Sequence, residues 1–94
     1  MVVHLLPAGR EGEMGSRPTS VGLIVGRVVG GAVVRNSVRR RLRHLMQARI
    51  DRFPAGSRVV VRALPGSAHL TSAALAGELD AAIDRVLTRA EQRR

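Results

Sequence analysis

An α+β fold, built as a two-layer sandwich in which a small sheet carries its helices on one face, is what the hydrophobic patterning of this chain predicts. Three short β-branched runs and two longer stretches with apolar residues at three- and four-residue spacing occur in the order strand, strand, helix, strand, helix. A length of 94 residues allows one modest core and excludes two independently folding units, so the chain reads as a single domain over 1–94.

Val2 to Leu6 forms the first run, stopped by Pro7-Ala8-Gly9, and a polar, Gly-rich stretch to Ser20 reads as a flexible loop over 7–20. Val21 to Val29 is β-branched enough for a second strand, closed by Gly30-Gly31, and the two strands are expected to pair as a long-looped hairpin. From Ala32 to Phe53 the positions Val34, Val38, Leu42, Leu45, Met46, Ile50 and Phe53 mark one face of an amphipathic helix that Pro54-Ala55-Gly56 ends. Arg58 to Leu64 holds Val59-Val60-Val61 between turn residues, the pattern of a buried strand. Thr71 or Ser72 can cap the last helix, whose stripe is Leu75, Leu79, Ala82, Ile83, Val86, Leu87 and Ala90, with Arg93-Arg94 suiting the C-terminal end of its dipole.

Sixteen basic residues, all arginine, against seven acidic ones give a formal net charge of +9, which favours a polyanionic partner. The absence of cysteine excludes a disulfide framework, a thiol nucleophile and a Cys-based zinc site, and a cytoplasmic location is expected. The apolar start lacks a basic leader and is cut by Pro7, so no signal peptide is expected, and no later stretch is long enough to span a bilayer.

The functional signal lies in Gly30-Gly-Ala-Val-Val-Arg-Asn-Ser-Val-Arg-Arg-Arg-Leu-Arg43, which places five arginines inside a helical register. At about 100° per residue, Asn36, Arg39, Arg40 and Arg43 gather on one flank of the apolar stripe, and Arg41 falls on the other. No Asp or Glu occurs between Glu13 and Asp51, so these cations lack acidic partners at helical spacing and call for an anion outside the helix. Guanidinium groups on such a ridge can fork hydrogen bonds to phosphates and release counterions from RNA, while Asn36 offers a donor and an acceptor. Arg49, close to the apolar face, is expected to snorkel in a structural role.

The run Val21-Gly-Leu-Ile-Val-Gly-Arg-Val-Val-Gly-Gly-Ala-Val-Val-Arg-Asn-Ser-Val-Arg-Arg-Arg-Leu-Arg closely resembles the signature of the protein component of bacterial ribonuclease P: a strand, Gly-Asn-Ala-Val, then Arg-Asn-Arg and further basic residues. A weaker similarity runs through Val59 to Ala63 and the Leu-Thr-Ser before the last helix. The resemblance implies a left-handed crossover in the sandwich, which ordinary handedness rules would not suggest. It also implies a subunit that binds a catalytic RNA and assists endonucleolytic removal of the 5′ leader from precursor tRNA, with magnesium on the RNA and no catalytic or metal-binding side chain in the protein. Its partners would be the catalytic RNA and precursor tRNA, with no membrane and no obligate protein partner. Carried onto this sequence, Arg35, Asn36, Arg39, Arg40 and Arg43 would contact the RNA, with Arg27 at the preceding strand end as a lesser contributor. Two departures stand out: Ser37 replaces the second Arg of Arg-Asn-Arg and Gly31 replaces Asn, so the ridge is expected either to grip less tightly or to use Arg41 instead. Relative to the family pattern the chain is expected to be N-terminally short, lacking a basic segment, an aromatic helix and a first strand.

Outside that segment the chemistry is sparse. His4, His44 and His69 are scattered without metal-ligand spacing, and Ser16, Ser20 and Ser72 lack a nucleophile context. Asp80 and Asp84 are expected to be solvent-facing partners for Arg85 and its neighbours. The single aromatic, Phe53, lies on the apolar stripe and supplies no stacking platform, so recognition of backbone and shape is expected over base reading. A non-catalytic structural RNA-binding protein, ribosomal or chaperone-like, shares the same ridge, as does a duplex-DNA coating protein.

Overall fold

The computed structural model describes residues 1–6 and 18–92. Most of the expected loop, residues 7–17, and the terminal Arg93-Arg94 lie outside the described residues. The elements are β1 (Val2–Leu6), β2 (Ser20–Ile24), α1 (Ala32–Gln47), β3 (Arg58–Arg62) and α2 (Ser72–Gln92), with short 3₁₀ turns at Ile50–Arg52 and Ser67–His69. Thr19 and Ser20, expected at the loose end of the loop, are tied down: the Thr19 hydroxyl donates to the Pro54 carbonyl at 3.1 Å, and the Ser20 amide donates to the Ser57 carbonyl at 2.9 Å.

The three strands form one sheet in the order β1-β3-β2. β3 pairs antiparallel with β1 and parallel with β2, so the expected hairpin of the first two strands does not form. The central place goes to β3, the most deeply buried of the three strands, with Val59 and Val61 at 1% and 0% exposure, and not to a neighbour in sequence. The implied crossover is the β2–α1–β3 connection.

Register sorts the side chains. Val3 faces Val61 and Leu5 faces Val59 across one seam, and Val21 faces Val59 and Leu23 faces Val61 across the other, so all six share the core side of the sheet. On the opposite side Val2, His4, Leu6, Ile24, Arg58 and Arg62 are exposed. The core side receives the stripe Val38, Leu42 and Met46 of α1 and Leu75, Leu79, Ala82 and Ile83 of α2. The Thr71 hydroxyl caps α2 by accepting from the Ala74 amide at 3.1 Å.

Two expected elements are longer in the sequence than in the fold. The second strand stops at Ile24, and the chain then turns, with the Val29 amide bonding to the Gly26 carbonyl and the Gly30 amide to the Arg27 carbonyl. Val25 and Val29 are buried within this connection, so their β-branching reported burial and not strand. The helix expected to reach Phe53 ends at Gln47, and Phe53 joins the core from beyond the 3₁₀ turn. Val34, placed on the apolar stripe by periodicity, is exposed in the first turn of α1. There it meets Gly30, where a Cβ would come within 2.7 Å of the Val34 side chain, so this tight approach into the helix requires glycine.

Leu42 is fully buried at the centre of the α1 stripe. Leu42→Ala is expected to lower unfolding free energy by about 2–5 kcal/mol, whereas Val33→Ala, on a side chain almost wholly in solvent, should change it by about 0.5 kcal/mol or less; urea titration of both variants checks the register.

Candidate nucleic-acid interface

Burial of Val38, Leu42 and Met46 fixes the rotation of α1, and with it the fate of each arginine. Measured from the centre of the buried stripe at about 100° per residue, Arg39, Arg43, Asn36 and Arg40 follow one another within an arc of roughly 100° on a single flank. Arg40, Arg43 and Asn36 are exposed and Arg39 is half-buried. The Arg39 Nη1 donates to the Asn36 side-chain oxygen at 2.9 Å, which orients both groups while leaving the guanidinium its full charge. Arg35 sits one turn earlier, half-buried, with its Nε shielded from solvent and without a hydrogen-bond partner among the described residues. Arg27 is exposed in the turn before the helix, neither on a strand nor on the helical ridge.

The remaining arginines of this region have internal tasks. Arg41 is half-buried and its Nη2 donates to the Leu70 carbonyl at 2.6 Å, which ties α1 to the chain ahead of α2. It lies on the flank opposite Arg39 and Arg43. Arg49 grips Asp80 with two bonds, Nε to Oδ1 at 2.6 Å and Nη2 to Oδ2 at 3.2 Å, and its Nη1 donates to the Leu45 carbonyl at 2.9 Å. Arg52 pairs with Asp84. Asp80 and Asp84 thus serve the 3₁₀ region after α1, and not Arg85 on their own helix; the contact spans about thirty residues of sequence, beyond the reach of helical spacing. Among the described residues these acids take up Arg49 and Arg52, and no ion pair reaches Arg39, Arg40 or Arg43.

The described residues contain no group of three or more His, Asp or Glu side chains able to hold a metal ion, and no helix long and apolar enough to cross a membrane. The three histidines are exposed. A family model described as Ribonuclease P matches residues 1–87.

The chain belongs to the ribonuclease P protein family.

It is 52% identical over 91 residues to the ribonuclease P protein component of Streptomyces avermitilis, covering 93% of this chain and 73% of that protein. It is 50% identical, with the same coverage, to the protein component of Streptomyces bikiniensis. The fold is that of the Staphylococcus aureus RNase P protein, with a TM-score of 0.65 at 20% identity over 94% of this chain and 72% of that one. The Arg35-Asn36-Ser37 run lies in the first turns of α1.

Two further arginines lie away from the helix. Arg58 and Arg62 bracket β3 and emerge on the open face of the sheet beside Val2, Leu6 and Ile24. Their alternation with Val59 and Val61 was the available signal, because residues two apart on a strand share a face.

The Arg49 hydrogen bonds hold the Asp80 carboxyl below the usual carboxylate range, opposed by partial burial and aided by the charges of Arg49 and Arg52. Arg49 is raised in turn, chiefly by the same bond. A carboxylate with a depressed folded pKa contributes stability that is complete above its unfolded pKa and is lost as pH falls through the folded value. The Asp80 side chain is 44% exposed, so solvent screens the pair and the contribution is modest. Asp80→Asn is expected to be less stable than the parent at neutral pH, with the gap closing as pH drops below the normal carboxylate range; a gap that stays constant in acid, by urea titration, would assign the loss to packing.

Proposed function

We propose that this chain, as the protein subunit of ribonuclease P, binds the catalytic RNA along the α1 ridge formed by Asn36, Arg39, Arg40 and Arg43, with Arg35 at its N-terminal end and Arg27 as a lesser contact. In that role it assists removal of the 5′ leader from precursor tRNA. The observation that carries the reading is the division of labour among the arginines: Arg41, Arg49 and Arg52 are engaged within the fold, while Arg39, Arg40 and Arg43 turn their charge outward beside one another. Like charges packed on adjacent turns repel, and a phosphate backbone lying along the flank relieves that repulsion by charge-assisted, forked hydrogen bonds.

Such a surface recognises the course of a backbone, so the chain contributes affinity and positioning and the RNA carries out the hydrolysis. The magnesium that supports phosphodiester cleavage belongs on the RNA in this reading. Arginines that neutralise phosphates take over part of the charge compensation that free magnesium otherwise supplies, so the RNA reaches its folded form at lower magnesium. The cytoplasm, where precursor tRNA is made in a bacterium, is the corresponding location, and the chain acts as one domain.

The test is cleavage of precursor tRNA by the cognate catalytic RNA at limiting magnesium, with and without the protein. Stimulation is expected, and Arg39→Ala and Arg43→Ala should each weaken RNA binding and flatten its log–log salt dependence by roughly 0.7–0.9 per lost phosphate contact. Tight RNA binding without any lowering of the magnesium requirement would make the chain a structural RNA-binding protein instead. An unchanged salt slope in both variants would remove the ridge from the interface.

A further inference from the structure

The acids of this chain are unevenly placed. From Arg27 to Arg43 six arginines occur with no acid among them. Of the seven acids in the chain, three belong to the far end of α1: Asp51 is exposed in the 3₁₀ turn that follows the helix, and Asp80 and Asp84, one turn apart on α2, reach the arginines of that turn. Arg49 is held by both oxygens of Asp80 and Arg52 by Asp84, while the Arg52 Nη1 also lies 3.9 Å from Asp80. Two cations set among three carboxylates leave this patch without positive charge, so the basic flank of α1 stops past Gln47. Stability alone does not account for the arrangement: the Asp80 and Asp84 side chains are 44% and 65% exposed, and exposed pairs contribute little to it. Against a polyanion the same carboxylates are effective, because they occupy the forked donors that would take phosphates and add their own repulsion.

We infer that Asp80 and Asp84 are specificity-determining residues: by withholding Arg49 and Arg52 from RNA they end the RNA-binding surface at the C-terminal end of α1 and favour the cognate RNA over other structured RNA. The inference rests on the ridge reading above and adds a boundary to it. Guanidinium groups accept any phosphate, so a basic surface that ran on through Arg49 and Arg52 would hold RNA in many registers. An RNA already seated on Arg39, Arg40 and Arg43 gains little from that extension. One displaced along the helix, or lying towards α2, gains phosphate contacts it would otherwise lack. Discrimination is a difference of affinities, and it rises when contacts open to the wrong partner are removed. The two acids do this without deleting the arginines, which keep their structural tasks at the Leu45 carbonyl and across to α2.

The test measures binding across a salt series to the cognate catalytic RNA and to an unrelated folded RNA of similar length, with thermal unfolding as a control for folding. The double variant Asp80→Asn/Asp84→Asn is expected to bind the unrelated RNA more tightly, with a log–log salt slope steeper by roughly 0.7–0.9 for each arginine released, and to lose discrimination between the two RNAs. Asp84→Asn alone, at the more exposed acid, should show the change for one arginine and carries the test if the double variant does not fold. Adding Arg49→Gln/Arg52→Gln to the double variant should restore the wild-type slope. Glu78→Gln/Glu91→Gln raises the net charge by the same amount at two exposed acids that hold no ion pair among the described residues, and should leave discrimination as in the wild type. Equal steepening in that control, or an unchanged slope and unchanged discrimination in the folded Asp variants, would overturn the inference. Arg39→Ala in the same titrations reports on the ridge separately: if it leaves cognate binding and its slope unchanged, the ridge reading fails whatever the Asp variants do.

Discussion

The packing of Val38, Leu42 and Met46 against the sheet is the constraint on which the rest of this structure depends. A helix carrying five arginines in nine residues has no electrostatic reason to be stable by itself. Burial of one stripe supplies the stabilisation and also sets the rotation, because at about 100° per residue a buried face determines what every other position must do. The ridge is therefore a consequence of the core: Asn36, Arg39, Arg40 and Arg43 face solvent together because the stripe one third of a turn away cannot.

The acids of the chain are placed in keeping with this. Asp80 and Asp84 lie on α2, where they hold Arg49 and Arg52 at the far end of α1 and anchor the helix without approaching the ridge. Arg41 adds an anchor on the other flank through the Leu70 carbonyl. The helix is thus pinned to α2 and to the chain before it, while the flank with Arg39, Arg40 and Arg43 has no ion pair among the described residues. Because the helix itself is anchored, the backbone positions of Arg39, Arg40 and Arg43 are fixed before any partner arrives, and Asn36 further orients Arg39.

Much of this was legible in the sequence. The four-residue spacing of Val38, Leu42 and Met46 located the buried stripe, and Gly30-Gly31 marked the start of α1 at Ala32. The resemblance around Arg35-Asn36 pointed to the family to which the chain belongs. What was not legible is what depends on long-range partners. Nothing local in Val2–Leu6 or Ser20–Ile24 states that β3 separates them. Val25, Val29 and Phe53 showed that β-branched or periodic apolar residues report burial even where the backbone has left strand or helix. The Arg49–Asp80 pair arises from elements that meet only in the folded chain.

The most direct test of the ridge uses the chain's lack of cysteine, which makes any introduced thiol unique. An iron chelate attached at His44→Cys, exposed one turn from Arg40, and separately at Thr88→Cys, exposed on α2, would cut whatever RNA lies within reach. With the cognate catalytic RNA bound, the account predicts strong, localised cleavage from position 44 and little or none from position 88. Cleavage from position 88 that equals or exceeds that from 44 would contradict it, and would move the RNA interface away from α1.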